Sequence, residues 1–287
     1  MATIKQLRGR IRSAKNIQQI TRAMKLVAAA RLRRAQERVL EARPYSEKMK
    51  ELMASLAAGG EMPVNPLLER RTVKKIAVLV FTAERGLAGS FNTNINRKAS
   101  DFLKEQSLPN RVFGVGKKAF QFFNRRGFDM AGQMNMPTSG PTLDHANEII
   151  SKAQEMFVSG EVDAVYLVYS KFYSAIRQTP QVVQLLPIEP PVLEGATEGF
   201  SKTYTFEPDP AELLGALLPK YALTIVLQTL LESTASEHGA RMTAMTSATD
   251  NAGEMIQLLT LQANRMRQAT ITKEILEIVG GAEALKG

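Results

Sequence analysis

The sequence predicts an α/β fold: a central strand–helix layer with a partly parallel sheet, plus a long antiparallel coiled coil formed by the N- and C-terminal helices. Three observations predict it. Residues 211–279 hold one proline (Pro219) and three glycines, and from Leu231 onward spacings of four and three pick out Leu231, Ala235, His238, Met242, Met245, Thr249, Ala252, Ile256, Leu259, Ala263, Met266 and Thr270. Most of these are apolar, a 3.5-residue seam of the kind that wraps one helix around another. Residues 3–58 carry a second long helical pattern, and residues 65–207 alternate strand-like with helix-like runs.

A helix over residues 211–279 rises about 100 Å at 1.5 Å per residue. A globule of the whole chain would be only roughly 50 Å across. Such a helix cannot be buried inside its own domain, so its stripe needs a partner.

Taken in order, the first helix has apolar residues at Ile4, Leu7, Ile11 and Ala14. The stripe shifts by one at Ile17, Ile20, Met24 and Val27, then resumes at Ala28, Leu32, Ala35, Val39 and Ala42. Pro44 removes a hydrogen bond and should kink or break the helix. Gly59-Gly60 and Met62-Pro63 should end it. Residues 73–81 read as a buried strand, and the glycine turn Glu84–Gly89 leads to a helix over 91–106. A strand is expected at 111–115, helices at 117–126 and from Pro141 to about Val158, and strands at 164–169 and 181–188. Asp209-Pro210 should start the last helix, with Asp as the N-cap and Pro at the first helical position. The expected division is 1–60, 61–208 and 209–287.

The net charge of +9 is unevenly placed. Residues 1–50 hold 14 Lys or Arg against 3 Glu, so an acidic partner is expected at that end: nucleic acid, anionic lipid or an acidic protein surface. No run of 18 uncharged apolar residues occurs, so no membrane span is expected. The start leads straight into a helical pattern without a signal core, which points to a cytoplasmic protein. The absence of cysteine excludes disulfides, thiolate nucleophiles and Cys-based metal sites.

Candidate chemistry is sparse. Gly114-Val115-Gly116-Lys117-Lys118 resembles half a phosphate loop but has Arg111 and Lys118 where the motif needs Gly and Ser or Thr, so a strand-to-helix turn is the better reading. The turn Gly86–Asn92 has the shape to expose amides to an anion, or only to reverse the chain where positive φ is needed. His145 and His238 are the only histidines, and neither sits in a ligand-spaced motif. No catalytic, metal or cofactor constellation stands out. A basic nucleic-acid-binding coiled coil is the alternative reading, weakened because no aromatic residue precedes Tyr45 for base stacking. An α/β enzyme with helical arms is a third. The last helix is poor in charge and rich in Thr, Ser, Gln, Asn and Met, with isolated Arg241, Arg265 and Arg267. Its end, Ile275–Val279, is mostly apolar and costly to leave wet.

Both ends carry specific motifs: Ile17 through Ala29, Ser236 through Met245, Ala248 through Ala252, and Ala263 through Val279 with Arg267–Thr272 inside it. With the turn Gly86–Asn94, they make the chain resemble the gamma subunits of bacterial-type (F-type) rotary ATP synthases over its whole length. The resemblance implies a non-catalytic central-stalk rotor, its terminal helices a shaft inside a ring of three alpha and three beta subunits. The α/β domain would be the foot, beside the epsilon subunit and on the c-subunit membrane ring, at the cytoplasmic face of the bacterial inner membrane. It implies no cofactor and no nucleic acid. By matching position, Arg241, Arg267 and Gln268 would meet loops of the catalytic ring. Met24 and Lys25 would face an acidic region of beta, and Tyr204 and Glu207 would lie near the membrane ring. Ala88 stands where the family's turn usually has Cys, so a thiol role there is excluded.

Overall fold

The structure, a computed structural model, describes residues 3–58, 63–137, 139–191 and 209–284. Its helices are α1 (Ile4–Ala58), α2 (Phe91–Gln106), α3 (Lys117–Asn124), α4 (Leu143–Val158) and α5 (Pro210–Ala284). Its strands are β1 (Ile76–Phe81), β2 (Asn110–Val115), β3 (Met130–Met134), β4 (Ala164–Phe172) and β5 (Gln178–Leu186). The chain divides into two compact units, one of residues 1–28 with 242–287 and one of residues 29–241.

The larger unit is built on a five-stranded sheet in the order β3-β2-β1-β4-β5. The first four strands are parallel and β5 runs antiparallel to β4. β1 is central and all six of its residues are buried, which explains its unbroken apolar run: both faces are covered. One face packs on α4, on Met49, Met53 and Leu56 of α1, and on Leu214, Leu218, Tyr221 and Val226 of α5. The other face packs on α2 and α3 through Phe91, Ile95, Leu103 and Phe123. By length and composition α5 also meets the requirement for a membrane span: an 18-residue stretch of it has a mean hydropathy of 1.5, and 44% of that stretch is buried within the protein.

Local signals set the helix ends. Thr3 Oγ1 accepts from Gln6 N at 3.3 Å while Gln6 Oε1 accepts from Thr3 N at 2.9 Å, a reciprocal cap for α1. Asp209 Oδ2 accepts from the amides of Ala211 and Glu212 at 3.0 and 3.3 Å, as expected of an N-cap. At α4 the cap is Thr142, closed by His145, whose Nδ1 accepts from the Thr142 amide at 3.2 Å.

Three expectations change. α1 runs unbroken through Pro44. Pro44 and Leu40 are both exposed, so the carbonyl that loses its partner lies on the solvent side, where water can satisfy it. β3 has too little apolar alternation to be read as a strand; its first three residues are only partly buried. The stripe of α1 does not shift by one. Residues 4, 7, 11, 14, 18, 21, 25, 28, 32, 35, 39, 42, 46, 49, 53 and 56 are all buried or partly buried, while Ile17, Ile20 and Val27 are exposed. Polar Gln18 and Thr21 hold the seam positions that the apolar pattern hides.

In the smaller unit that seam meets α5 at residues 242, 245, 249, 252, 256, 259, 263 and 266, all buried or partly buried. Thr249 Oγ1 donates to Thr21 Oγ1 at 2.8 Å, and Gln18 Nε2 donates to Thr249 O at 3.5 Å. A Cβ on Gly253 would lie 3.0 Å from Gln18 Nε2. Stepping back along α1 from Thr21 to Gln18 therefore steps forward along α5, and the pair is antiparallel.

Gly116 closes β2 with φ +92, and a Cβ there would come within 2.1 Å of Thr82 O. Gly9, in α1, has open space around it. Gly116→Ala is therefore expected to cost about 3 kcal/mol or more, and Gly9→Ala to add about 0.5–1 kcal/mol. Denaturant midpoints of the two variants check this; a parental midpoint for Gly116→Ala would contradict the packing of β1 on β2.

Candidate functional site

The C-terminal edge of the parallel strands is where a doubly wound sheet exposes its loops. Here α5 crosses that edge and fills it with polar side chains. Arg241 Nη1 pairs with Glu237 Oε1 at 2.6 Å, one helical turn back. Its Nη2 donates to the carbonyls of Arg85 and Gly86 at 3.4 and 3.3 Å. The glycine turn after β1 and Arg241 of α5, separate candidates in the sequence, thus form one site.

The turn itself is held in an unusual shape. Leu87 has φ +62 and is 64% exposed, Gly89 has φ +55, and Ala88 between them is buried. A leucine in the left-handed region persists only where its surroundings hold it. Those surroundings are Asn92 Oδ1, which accepts from Ala83 N at 2.9 Å, and Glu84 Oε1, which accepts from Met136 N at 2.7 Å. The turn offers carbonyls, not amides, to its neighbour, so it is a cation seat filled by Arg241 rather than an anion cradle. Gly114 and Gly116 are explained by packing: the Thr82 hydroxyl accepts from Ala119 N at 2.7 Å and leaves no room for a ligand phosphate.

Glu237 and His238 lie beside this seat. Burial pushes the Glu237 carboxyl above its ordinary range, with Glu84 adding to the rise and Arg241 and Arg31 opposing it. Burial, with Arg241 and then Arg31, lowers His238 to about 4. Among the described residues its Nδ1 has no hydrogen-bond partner, so a neutral, packed imidazole fits the site. Glu237 was not singled out from the sequence, although its spacing of four before Arg241 is a helical ion-pair signal.

Met24, Lys25, Arg267 and Gln268 belong to the smaller unit. Met24 and Lys25 are partly buried on α1, with Lys25 in the seam. No acidic residue precedes Glu37, while ten Lys or Arg do. Arg267 and Gln268 are exposed on α5, in a stretch from 267 to 282 where every residue is exposed, including Ile271, Ile275, Leu276, Ile278 and Val279. Tyr204 and Glu207 lie outside the described residues. Among the described residues no group of His, Asp and Glu has the geometry to hold a metal.

The low pKa of His238 has a sign that can be tested. A histidine lowered in the folded state contributes stability that is present above about 6.5 and lost as pH falls through about 4. Glu237, raised in the folded state, acts in the opposite direction. The stability difference between the parent and His238→Gln should therefore shift against the parent by about 3 kcal/mol from pH 7 to pH 4, read by denaturant titration at each pH. A pH-independent difference would place the imidazole in water.

A family model described as ATP synthase matches residues 3–285. The ATP synthase gamma chain of Pelotomaculum thermopropionicum is 50% identical over 286 residues, covering 100% of both chains. That of Chlorobaculum tepidum is 44% identical over 293 residues, again covering 100% of both. Among solved structures, a chain of the Euglena gracilis mitochondrial ATP synthase (OSCP/F1/c-ring) superposes with a TM-score of 0.71 at 18% identity, over 98% of this chain and 94% of that one, and so shares the fold. Paired terminal helices, an α/β sheet and full-length similarity to these relatives converge on one assignment: the chain belongs to the ATP synthase gamma chain family.

Proposed function

We propose that this chain is the central-stalk rotor subunit of a proton-translocating ATP synthase, coupling rotation of a membrane c ring to ATP synthesis and hydrolysis at the beta subunits. The observation that carries this reading is the bare end of α5. Residues 267–282 are exposed throughout and include five large apolar side chains. Such a surface is costly in water and calls for an enclosing protein. The titles of fold neighbours support the setting: a Tetrahymena thermophila chain at TM-score 0.60 is described as central stalk/c-ring, and a Euglena gracilis chain at 0.67 as rotor.

In this reading the chain is a peripheral component of a membrane-bound, multisubunit ATP synthase and does no chemistry itself. Segments 1–60 and 209–287 form the shaft, and 61–208 the foot. Three alpha and three beta subunits surround the shaft, while epsilon and the c ring engage the foot at the inner membrane. Arg267 and Gln268 meet loops of the catalytic ring, and Arg241, 26 residues back along α5, lies toward other loops of that ring. Met24 and Lys25, in the run of α1 that has no acids, face an acidic region of beta. Tyr204 and Glu207 lie toward the membrane ring. A rotor shifts a nucleotide site only by contacting its conformers differently. A shaft whose two helices expose different surfaces, α1 basic and the end of α5 largely apolar, meets that condition. The family assignment gives no support to the nucleic-acid reading.

Two outcomes are expected. The purified chain alone should show no ATPase activity, and mixing it with alpha and beta subunits should produce it; turnover by the chain alone would overturn the non-catalytic assignment. Arg267→Ala should lower proton-driven ATP synthesis roughly tenfold, the cost of one charged hydrogen bond, with no change in the melting temperature of the isolated chain. Unchanged synthesis would remove Arg267 from the contact surface.

A further inference from the structure

At the C-terminal edge of the sheet α5 is held from two sides. On one side Arg241 donates to the carbonyls of Arg85 and Gly86 in the β1–α2 turn. On the other, a Cβ on Gly239 would lie 3.4 Å from both Cα and O of Ala175 and 3.2 Å from Gln178 Nε2. The β4–β5 hairpin therefore packs directly on the α5 backbone. Between the two, Ser236 is fully buried and its Oγ donates to Ser170 O at 2.8 Å. The hairpin is braced internally: Gln178 Nε2 donates to Ala175 O at 2.6 Å and to Ser174 O at 3.1 Å, and Ser174 Oγ accepts from Arg177 N at 3.1 Å. Arg241 is equally constrained by its ion pair with Glu237. Both jaws are rigid, and each grips within one turn and a half of helix.

We infer that Ser236–Arg241 and the two loops form a clasp that fixes α5 to the sheet and carries torque between them, with Arg241 and Gly239 as its positioning residues. The inference rests on the rotor reading for the word torque, and on the geometry alone for the clasp. It gives Arg241 a different task from the one expected of it. Its guanidinium is spent on an acid and two carbonyls of its own chain, so its effect on a partner passes through the turn it holds. The exposed Leu87 is the part of that turn most directly placed by it. Gly239 is required because a side chain there would lever the hairpin away from the helix.

One variant loosens each jaw: Arg241→Gln on the turn side, and Gly239→Val on the hairpin side, where a side chain would meet Ala175 and Gln178. In the isolated chain, Arg241→Gln should raise amide exchange of residues 84–90 roughly tenfold, the cost of lost charged hydrogen bonds. Unchanged exchange would overturn the clasp whatever the protein does. In ATP synthase assembled in membrane vesicles, ATP-driven proton pumping is measured against ATP hydrolysis. Arg241→Gln and Gly239→Val should each lose coupling, and Arg241→Lys, which keeps a charge to pair with Glu237, should retain part of it. Two results would overturn the inference: full coupling in Gly239→Val, or loss of coupling in Arg241→Gln with no change in the exchange of residues 84–90. The second would show that Arg241 acts on the catalytic ring directly. Failure of the parent chain to stimulate alpha and beta subunits at all would sink the rotor reading and leave the exchange result standing.

Discussion

Burial of one seam on each terminal helix is the interaction on which the rest of the structure depends. Alternating steps of three and four keep an α1 residue on the seam from position 4 to position 56, and the same steps serve α5 from 242 to 266. The period of 3.5 is what lets two helices stay in contact over many turns. Isolated helices gain little from propensity alone, so each helix is ordered by the other and, within the larger unit, by the sheet.

The seam is not uniformly apolar, and its polar positions do a separate job. Thr21 and Thr249 hydrogen-bond to each other across the pair, Gln18 reaches the Thr249 carbonyl, and Ser46 Oγ meets Gln228 Oε1 at 2.6 Å. A hydrogen-bonded pair at a core position favours one register over slipped ones, at some cost in stability. Leucine at those sites would bind more tightly and specify less. A rotor needs a fixed register more than a maximal affinity between its helices, because each exposed residue must meet its neighbour at a set angle. The apolar Ile17, Ile20 and Val27, outside the seam and in water, fit the same logic: they are available to a partner because polar side chains have taken their places inside.

Much of the fold could be read before the structure, and the failures have specific causes. The period of the α5 seam was legible because its buried positions are nearly all apolar. The α1 seam was misread where Gln18 and Thr21 occupy it, since an apolar pattern cannot report a buried polar residue. Pro44 was expected to kink or break α1; the helix does not break, because the missing hydrogen bond falls on the solvent side. β3 was missed because it is only five residues long and Gly132-Gln133 interrupts its apolar run. The β1, β2 and β4 strands were legible because both their faces are covered. At the site, Arg241 and the turn 84–90 could each be picked out, yet nothing in the sequence brings residues 85 and 241 together. The proximity is created by the sheet, whose edge places the end of β1 against α5. Gly239 carried a signal, a glycine inside a strongly helical run, whose cause is visible only with the hairpin in place.

The central claim is that the end of α5 is dry only when other subunits enclose it. Hydrogen exchange of the amides of residues 267–282, compared between the isolated chain and the chain assembled with alpha and beta subunits, tests it most directly. Rapid exchange alone and strong protection on assembly are the predicted result. Equal exchange in the two states would mean that no partner closes around this helix, and the rotor account would fail with it.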